Sequence, residues 1–418
     1  MTGCASRSSE QIVPQSDACC FIQGLEIAER YKVRAIHDRR FKPDAYWAAL
    51  NPVLESPRLR NEQVGESVQG RPLYAVHAGD GPVTVLAWSQ MHGDESTASM
   101  ALLDILTWIA APDEDPLRDR LLQSVTLTLV PVLNPDGAEL FQRRNAVGVD
   151  INRDARNLAT PEARALKGLH DRIQPDFGFN LHDQNARTVA GPGGKQVGIA
   201  LLAPATSEDR SYNEVRSRAR LVASRIATGL EGEIPGQVAR YDDSFNPRAF
   251  GDLIQTWGTS TVLIESGALA GDPQKQRLRA LNVAALVDAF VAIGEGTYAG
   301  ADPGRYESLP QNRGVSFDLV VMGAQVVGLG AEPYRLDVGV VYNDAVAKTA
   351  PHVGDFGDLS NSSALDTLDA DGLFLHPEPS MVTARDGQRW LQVGNPARFV
   401  LRSGVSASSE AVLVMSDE

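Results

Sequence analysis

The stretch VTVLAWSQMHGDE, residues 83–95, decides the fold, because it joins a strand-like apolar run to the start of an amphipathic segment. A histidine and a carboxylate lie at this junction. Residues 83–88 are β-branched, aliphatic and aromatic, a composition typical of a buried strand. The segment that follows is amphipathic, and His92 and Glu95 lie three residues apart in it. At a helix start this spacing points both side chains the same way. They therefore supply two of the three protein ligands that a catalytic zinc ion needs.

Strand and helix patterns alternate from about residue 64 onward. Apolar residues recur at helical spacing over 98–109, and longer helical patterns cover 207–230 and 273–293. Short apolar runs typical of buried strands lie at 125–130, 177–181, 199–202 and 261–264. The alternation predicts an α/β domain with a mixed, mostly parallel sheet flanked by helices.

The character of the sequence changes near residue 300. Short strand-like runs separated by Gly, Asp, Asn and Pro turns lie at 319–322, 336–342, 390–393, 399–401 and 412–415. We therefore predict three parts: a disordered leader at 1–24, an α/β domain at 25–298 and a β-rich accessory domain at 299–418.

Composition and charge exclude some partners. The net charge is -14 and no basic stripe is present, so nucleic acid is not an expected partner. No apolar stretch is long enough for a transmembrane segment. The N-terminal MTGCAS resembles the end of a bacterial lipoprotein signal, in which Cys4 would carry a lipid anchor. A chance Gly-Cys in the leader is the alternative, and export to the periplasm or as a lipoprotein is slightly favoured over a cytoplasmic location.

Polar groups follow four of the predicted buried strands. His92 and Glu95 follow 83–88, the segment NPDG at 134–137 follows 125–130, His182 follows 177–181 and Glu265 follows 261–264. Ligands of open α/β sheets bind beyond the carboxyl ends of the strands. These side chains are therefore expected to meet at one edge of the sheet.

The order of these motifs resembles that of the M14 family of zinc carboxypeptidases. HGDE at 92–95, NPDG at 134–137, RRN at 143–145, GVDINR at 148–153, Leu181-His182 and Glu265 occur in the family's order, over roughly residues 70–295. The sequence is most similar to bacterial members with an HGDE motif. The resemblance identifies the 25–298 segment as a zinc carboxypeptidase-like catalytic domain.

The resemblance implies a role for each matching residue. His92, Glu95 and His182 would hold one Zn²⁺ per chain, and Glu265 would be the general base. Arg143 would polarise the scissile carbonyl, whereas Asn152 and Arg153 would hold the terminal carboxylate of a peptide substrate. Asp150 would support His92 from behind. The resemblance thus implies catalytic roles for Glu265 and Arg143 and substrate-binding roles for Asn152 and Arg153. It implies metal binding by His92, Glu95 and His182, with Asp150 in support.

The chemistry of the residue types agrees with those roles. Two imidazoles and a carboxylate leave a fourth zinc position open for water, whose pKa zinc lowers to about 7. Glu265 can accept the proton of that water and pass it to the leaving amine. Arg153 offers two parallel donors to a carboxylate.

Some assignments leave alternatives open. Arg144 competes with Arg143, and Arg153 could instead pair with Asp150 or Asp154. The family's loop tyrosine has one candidate, Tyr241, whose offset from Glu265 matches poorly. On the same loop we predict that Arg248 binds acidic or polar substrate side chains.

The expected function is hydrolysis of the C-terminal peptide or amide bond of peptides that carry a free C-terminal carboxylate. One alternative is a zinc-dependent deacylase or amidase of N-acyl amino acids, which would use a similar His/Glu/His set. The other is a non-catalytic peptide- or cell-wall-binding protein. Its mark would be the loss of a ligand or of the base, and neither is lost here.

Overall fold

The structure is a computed structural model that describes residues 18–330 and 332–416. The predicted lipid-anchor residue Cys4 lies outside the described residues. The helices are α1 (Ala18–Arg30), α2 (Pro43–Leu50), α3 (Thr97–Ala110), α4 (Pro116–Ser124), α5 (Pro135–Leu140), α6 (Pro161–Ile173), α7 (Glu214–Glu233), α8 (Phe250–Thr256), α9 (Gln276–Glu295) and α10 (Pro303–Glu307). Short 3-10 helices lie at Val53–Glu55, Ile151–Arg153, Thr297–Gly300 and Pro379–Met381.

The strands of the α/β part are β1 (Leu59–Glu66), β2 (Pro72–Ala78), β3 (Val83–Ser89), β4 (Val125–Val130), β5 (Phe177–Asp183), β6 (Thr188–Ala190), β7 (Ile199–Leu202), β8 (Val238–Arg240) and β9 (Ser260–Ser266). Those that follow are β10 (Asn312–Gly314), β11 (Phe317–Val326), β12 (Tyr334–Asp344), β13 (Thr349–Gly357), β14 (Ala364–Asp369), β15 (Phe374–Pro377), β16 (Val382–Arg385), β17 (Gln388–Leu391), β18 (Phe399–Arg402) and β19 (Ala411–Met415).

The main sheet has the order β1-β2-β4-β3-β5-β9-β7-β8. Strands β4, β3, β5 and β9 run parallel, whereas β1, β2 and the β7–β9 pairing are antiparallel. The predicted mixed sheet flanked by helices is therefore confirmed. Its parallel centre places the carboxyl ends of β3, β5 and β9 side by side, where the predicted site residues lie.

Both faces of the sheet are covered, as the alternation of side chains on β3 shows. Val85 and Ala87 pack in the core that contains α1, α3 and α9, whereas Leu86 and Trp88 pack in the core that contains α6 and α8. A strand buried on both faces reads as a continuous apolar run, which is why residues 83–88 show little polar alternation.

The C-terminal region, defined here as residues 312–416, is rich in β-structure as predicted. Its sheet has the order β13-β12-β11-β15-β18-β19, with β14 also paired to β11, and it has an apolar core of its own. The predicted boundary at 298/299 falls inside the 3-10 helix Thr297–Gly300 and stays a prediction.

Two local expectations are corrected. The leader was expected to extend to residue 24, yet α1 begins at Ala18. Its apolar residues, among them the buried Phe21, pack on the core beside α9, and a Cβ on Gly24 would lie 2.6 Å from the Cα of Ala284. This close contact between helices, which depends on residues 260 positions away, is not visible in the local pattern. The second correction concerns His92 and Glu95, which lie in a turn before α3 rather than in its first turn.

None of the helices in the described ranges is long and apolar enough to cross a membrane.

Candidate metal centre

The turn that carries His92 and Glu95 is held by the NPDG segment. Asn134 donates from Nδ2 to the carbonyl of Met91 over 3.2 Å, and its Oδ1 accepts from the Gly137 N–H over 2.9 Å. A Cβ on Gly93 would lie 2.0 Å from the carbonyl carbon of Gly137. The glycines of HGDE and NPDG therefore let two backbones touch, and this contact fixes the position of the turn.

Three side chains converge beyond the ends of β3 and β5. His92 Nδ1 lies 2.7 Å from Glu95 Oε1, and His182 Nδ1 lies 2.6 Å from Glu95 Oε2. The two Nδ1 atoms are 3.1 Å apart, and all three residues are buried. One ligand atom from each residue lies within 4.8 Å of the others, so the cluster could hold a metal ion.

The donor set fits a zinc ion. His92 Nε2 lies 2.9 Å from Asp150 Oδ1, which favours a proton on Nε2 and leaves the lone pair of Nδ1 facing the cluster. Burial lowers the pKa of His92, but the carboxylates of Glu95 and Asp150 outweigh it and raise that pKa to about 9. Surroundings that stabilise a cationic imidazole also suit a metal cation.

Asp150 and Arg143 complete the wall around the cluster. Arg143 donates from Nη1 to Glu95 Oε1 over 3.0 Å and from Nε to Asp150 Oδ2 over 3.1 Å. Burial would raise the pKa of Asp150, yet His92 and Arg143 hold it well below its ordinary value. Arg144 is exposed and donates to the carbonyl of Gly148. The structure thus brings Arg143, and not Arg144, to the cluster.

Glu265 lies on β9 directly opposite His182 on β5. Its side chain is buried, and within the described ranges it forms no hydrogen bond. Burial and the neighbouring charge of Glu95 raise the pKa of Glu265 well above its ordinary value. A buried carboxylate without a donor is a costly arrangement, and such arrangements concentrate at functional sites.

Asn152 and Arg153 lie in the 3-10 helix after Asp150. Asn152 accepts the Phe250 N–H at Oδ1 over 2.9 Å, and its Nδ2 lies 3.4 Å from His182 Nε2. Arg153 donates to its neighbour's carbonyl over 2.7 Å, and among the described residues it makes no ion pair with Asp150 or Asp154. Its remaining donors are therefore available to a carboxylate in the cavity.

Most of the groups described above line one open cavity of about 490 Å³. The lining includes seven of the nine predicted site residues: His92, Glu95, Arg143, Asn152, Arg153, His182 and Glu265. Asp150 supports the wall from behind. Arg248 is exposed and does not belong to the lining, because its backbone carbonyl, and not its side chain, faces inward to accept the Ala155 N–H.

The structure does bring Tyr241 into the cavity. Its backbone N–H donates to Leu201 O, which anchors it at the end of β8. The negative charge of Glu265, followed by burial, raises the pKa of Tyr241 to about 12. The sequence spacing between Tyr241 and Glu265 did not predict this position, because the pairing of β8 with β7 and of β7 with β9 is what brings the two residues to one cavity.

Two further polar groups lie at the site: Asp252, which was not recognised from the sequence, and Asp183, whose role the sequence left open. Asp252 of α8 lines the cavity, and burial raises its pKa to about 6. The side chain of Asp183 is 7% exposed, and it accepts from Lys275 Nζ over 2.9 Å and from Thr97 Oγ1 over 2.7 Å. Its position next to His182 was the available signal, but the partners Lys275 and Thr97 are distant in sequence.

Comparison with known proteins points to one family. Residues 49–226 match the family model described as zinc carboxypeptidase (peptidase M14). The matched segment belongs to the zinc carboxypeptidase family.

The relatives of this zinc carboxypeptidase segment match it over part of their length. Carboxypeptidase SOL1 of Arabidopsis thaliana is 34% identical over 120 residues, which is 25% of this chain and 24% of that protein. Carboxypeptidase 2 of Trichophyton tonsurans is 33% identical over 107 residues, 25% of this chain and 20% of that protein. The chain thus matches about a quarter or less of the length of these relatives.

A solved structure supports the zinc carboxypeptidase fold. The metallo-carboxypeptidase from Burkholderia cenocepacia superimposes with a TM-score of 0.51 at 18% identity, covering 62% of this chain and 70% of that one. The family match ends at residue 226, before Tyr241 and Glu265. It is the pairing of β9 with β5 that places Glu265 in the same cavity as the matched residues.

Proposed function

We propose that this protein is a zinc-dependent metallocarboxypeptidase that removes the C-terminal residue of peptides and holds one zinc ion per chain. The observation that carries the proposal is the position of Glu265. A buried carboxylate without a hydrogen bond shares one cavity with a His/Glu/His cluster and with the free donors of Arg153. That combination suits hydrolysis beside a substrate carboxylate.

The zinc ion, when bound, supplies a Lewis acid that activates water and polarises a carbonyl oxygen. Arg153, assisted by the amide of Asn152, binds the terminal carboxylate of the peptide by paired hydrogen bonds. This places the last peptide bond, rather than an internal one, beside the cluster. Arg143 is half-exposed beside Glu95, where its guanidinium can donate to the oxyanion that develops on the scissile carbonyl.

Glu265 moves the proton in this proposal. Its carboxylate makes no hydrogen bond with the described residues, so a carboxylate oxygen is available to accept a proton from the attacking water. It then delivers that proton to the leaving amine. Tyr241, whose pKa of about 12 keeps its hydroxyl protonated, can donate a hydrogen bond in the same cavity.

Mass spectrometry of the products tests the proposal. A peptide with a free C-terminus and the same peptide with a C-terminal amide are incubated with the protein, together with N-acetyl and N-succinyl amino acids. We expect the free acid to lose one residue from its C-terminus and the amide to react at least tenfold more slowly. Equal cleavage of the amide, or hydrolysis of the N-acyl amino acids in place of peptides, would contradict a carboxypeptidase.

A further inference from the structure

The turn at residues 184–187 forms one wall of the cavity, immediately after His182. Gln184 and Asn185 line the cavity there. Within the turn, Asn185 Oδ1 accepts the Arg187 N–H over 2.9 Å, and Thr188 Oγ1 donates to the Asn185 carbonyl over 2.7 Å. The position of Asn185 is thus tied to the position of Arg187.

Arg187 is held by the C-terminal region. Its Nε donates to Asp318 Oδ2 over 2.9 Å, and Nη2 donates to the carbonyl of Tyr342. The side chain of Asp318 is 1% exposed and that of Arg187 is 18% exposed. Asp318 Oδ2 also accepts the Tyr342 N–H over 2.7 Å, so β11 and β12 fix the carboxylate that fixes Arg187.

Further contacts hold the same wall from the same side. Asn312 Nδ2 donates to Gln184 Oε1 over 2.6 Å. Strand β10 pairs with β6, directly after the turn, and the Val315 N–H donates to the Arg187 carbonyl over 3.0 Å. The residues that hold the turn in place therefore come largely from a part of the chain more than 120 positions away in sequence.

These contacts leave the metal ligands untouched. Asp318 and Asn312 form no hydrogen bond or ion pair with His92, Glu95 or His182 in the part of the chain that the structure describes. A change at Asp318 therefore shifts the wall without altering the donors of the cluster. Because interactions made equally in the ground and transition states affect KM rather than kcat, the effect belongs to substrate binding.

We propose that Asp318 of the C-terminal region is a positioning residue for substrate binding, which acts through Arg187 on the wall formed by Gln184 and Asn185. This inference rests on the proposed peptidase function. It assigns to the C-terminal region a part in shaping the cleft.

The test compares the full-length variants Asp318→Asn and Arg187→Met with the parent protein. We expect each to raise KM for a peptide substrate at least threefold, with kcat within twofold and bound zinc unchanged. Arg187→Met removes the donors and Asp318→Asn removes the negative charge of the acceptor. Because both changes act on one interaction, the double variant should have nearly the KM of Arg187→Met alone. Asp371→Asn removes an exposed ion pair with Arg335 inside the C-terminal region and serves as the control that leaves KM unchanged.

Hydrogen exchange of residues 184–190 provides a second measurement that does not depend on activity. Both variants should exchange these amides at least tenfold faster than the parent, while the Asp371→Asn protein exchanges them at the parent rate. Faster exchange in both variants, together with a parent protein that shows no peptidase activity, would support the link between Asp318 and the cavity wall. It would at the same time reject the proposed peptidase function. An active parent with unchanged KM, or unchanged exchange at 184–190 in both variants, would overturn the inference.

Discussion

Two clusters of buried charged side chains differ in how completely the protein supplies hydrogen-bond and ion-pair partners for them. Between α3 and α9, Arg279 Nε donates to Asp104 Oδ2 over 2.6 Å and Nη2 donates to Oδ1 over 2.5 Å. Both side chains are 1% exposed, and Arg279 also donates to the carbonyls of Ile36 and Val33. This pair is closed, because the protein itself supplies partners on both sides.

The cluster at the sheet edge is open by comparison. Glu95 is shared by two histidines and Arg143, whereas Glu265 nearby has no donor among the described residues. The contrast teaches that burial of charge alone does not mark a functional site. What distinguishes the sheet edge is a deficit of positive charge and of donors beside a cavity, which a metal ion and a substrate can supply.

The largest expected effect is at the open cluster. Glu265→Gln keeps the shape of the side chain but removes the base, so we expect kcat to fall by about 10²–10⁴-fold. Stability should not fall, because the charge removed is one that burial disfavours. Steady-state kinetics and thermal unfolding check both parts. Retention of more than a tenth of the activity would show that Glu265 is not the base.

In the closed cluster, by contrast, a substitution should lower stability and leave kcat unchanged. Arg279→Met leaves Asp104 buried without its partner, so we expect unfolding free energy to fall by about 3–5 kcal/mol. The remaining folded protein should keep its kcat. Urea unfolding measures the change, and Arg335→Met, which removes an exposed ion pair, is the control expected to cost less than about 1 kcal/mol. If Arg279→Met and Arg335→Met lowered the free energy of unfolding equally, the claim that the buried Arg279–Asp104 pair needs both partners would be wrong.

The smallest expected effect is on stability and concerns Asp252, a carboxylate that lines the cavity. It accepts the Asn246 N–H over 2.8 Å, and burial raises its pKa to about 6. Because the folded state holds the proton more tightly, Asp252 contributes stability below about pH 4 that is lost as the pH rises to about 6. We expect the free energy of unfolding to fall by about 1–3 kcal/mol over this pH range because of Asp252.

Asp252→Asn cannot lose a proton, so its stability should decline less than that of the parent between pH 4 and 6. Chemical unfolding at pH 4, 5, 6 and 7 measures the difference. Asp242→Asn, an exposed position on the preceding loop, is the matched control. Parallel curves for the parent and Asp252→Asn would show that burial of this carboxylate has no thermodynamic effect.

The sequence predicted what depends on local pattern and chain order. The α/β architecture and the meeting of His92, His182 and Glu265 followed from polar residues placed after apolar runs, since parallel strands end at one edge. Other features were missed although a local signal existed. Helix α4 begins with Pro116 after the cap Asp115, which accepts the Leu117 and Arg118 N–H groups, yet it was not predicted.

The rest depends on contacts between segments far apart in the chain. Arg187 and Asp318 are 131 positions apart, and no spacing rule connects them. Tyr241 and Arg248 show the same limit on one loop, because the path of the loop turns the first into the cavity and leaves the second exposed. Loop paths are fixed by tertiary contacts rather than by local sequence pattern.

The amount of zinc bound per chain tests the central claim most directly, because the open cluster should bind a cation that the closed cluster cannot. Elemental analysis after dialysis should give about one zinc per chain for the parent and for Arg279→Met. The double variant His92→Ala and His182→Ala should bind less than about a tenth of that amount. A parent without zinc, or a double variant that binds as much as the parent, would contradict the account.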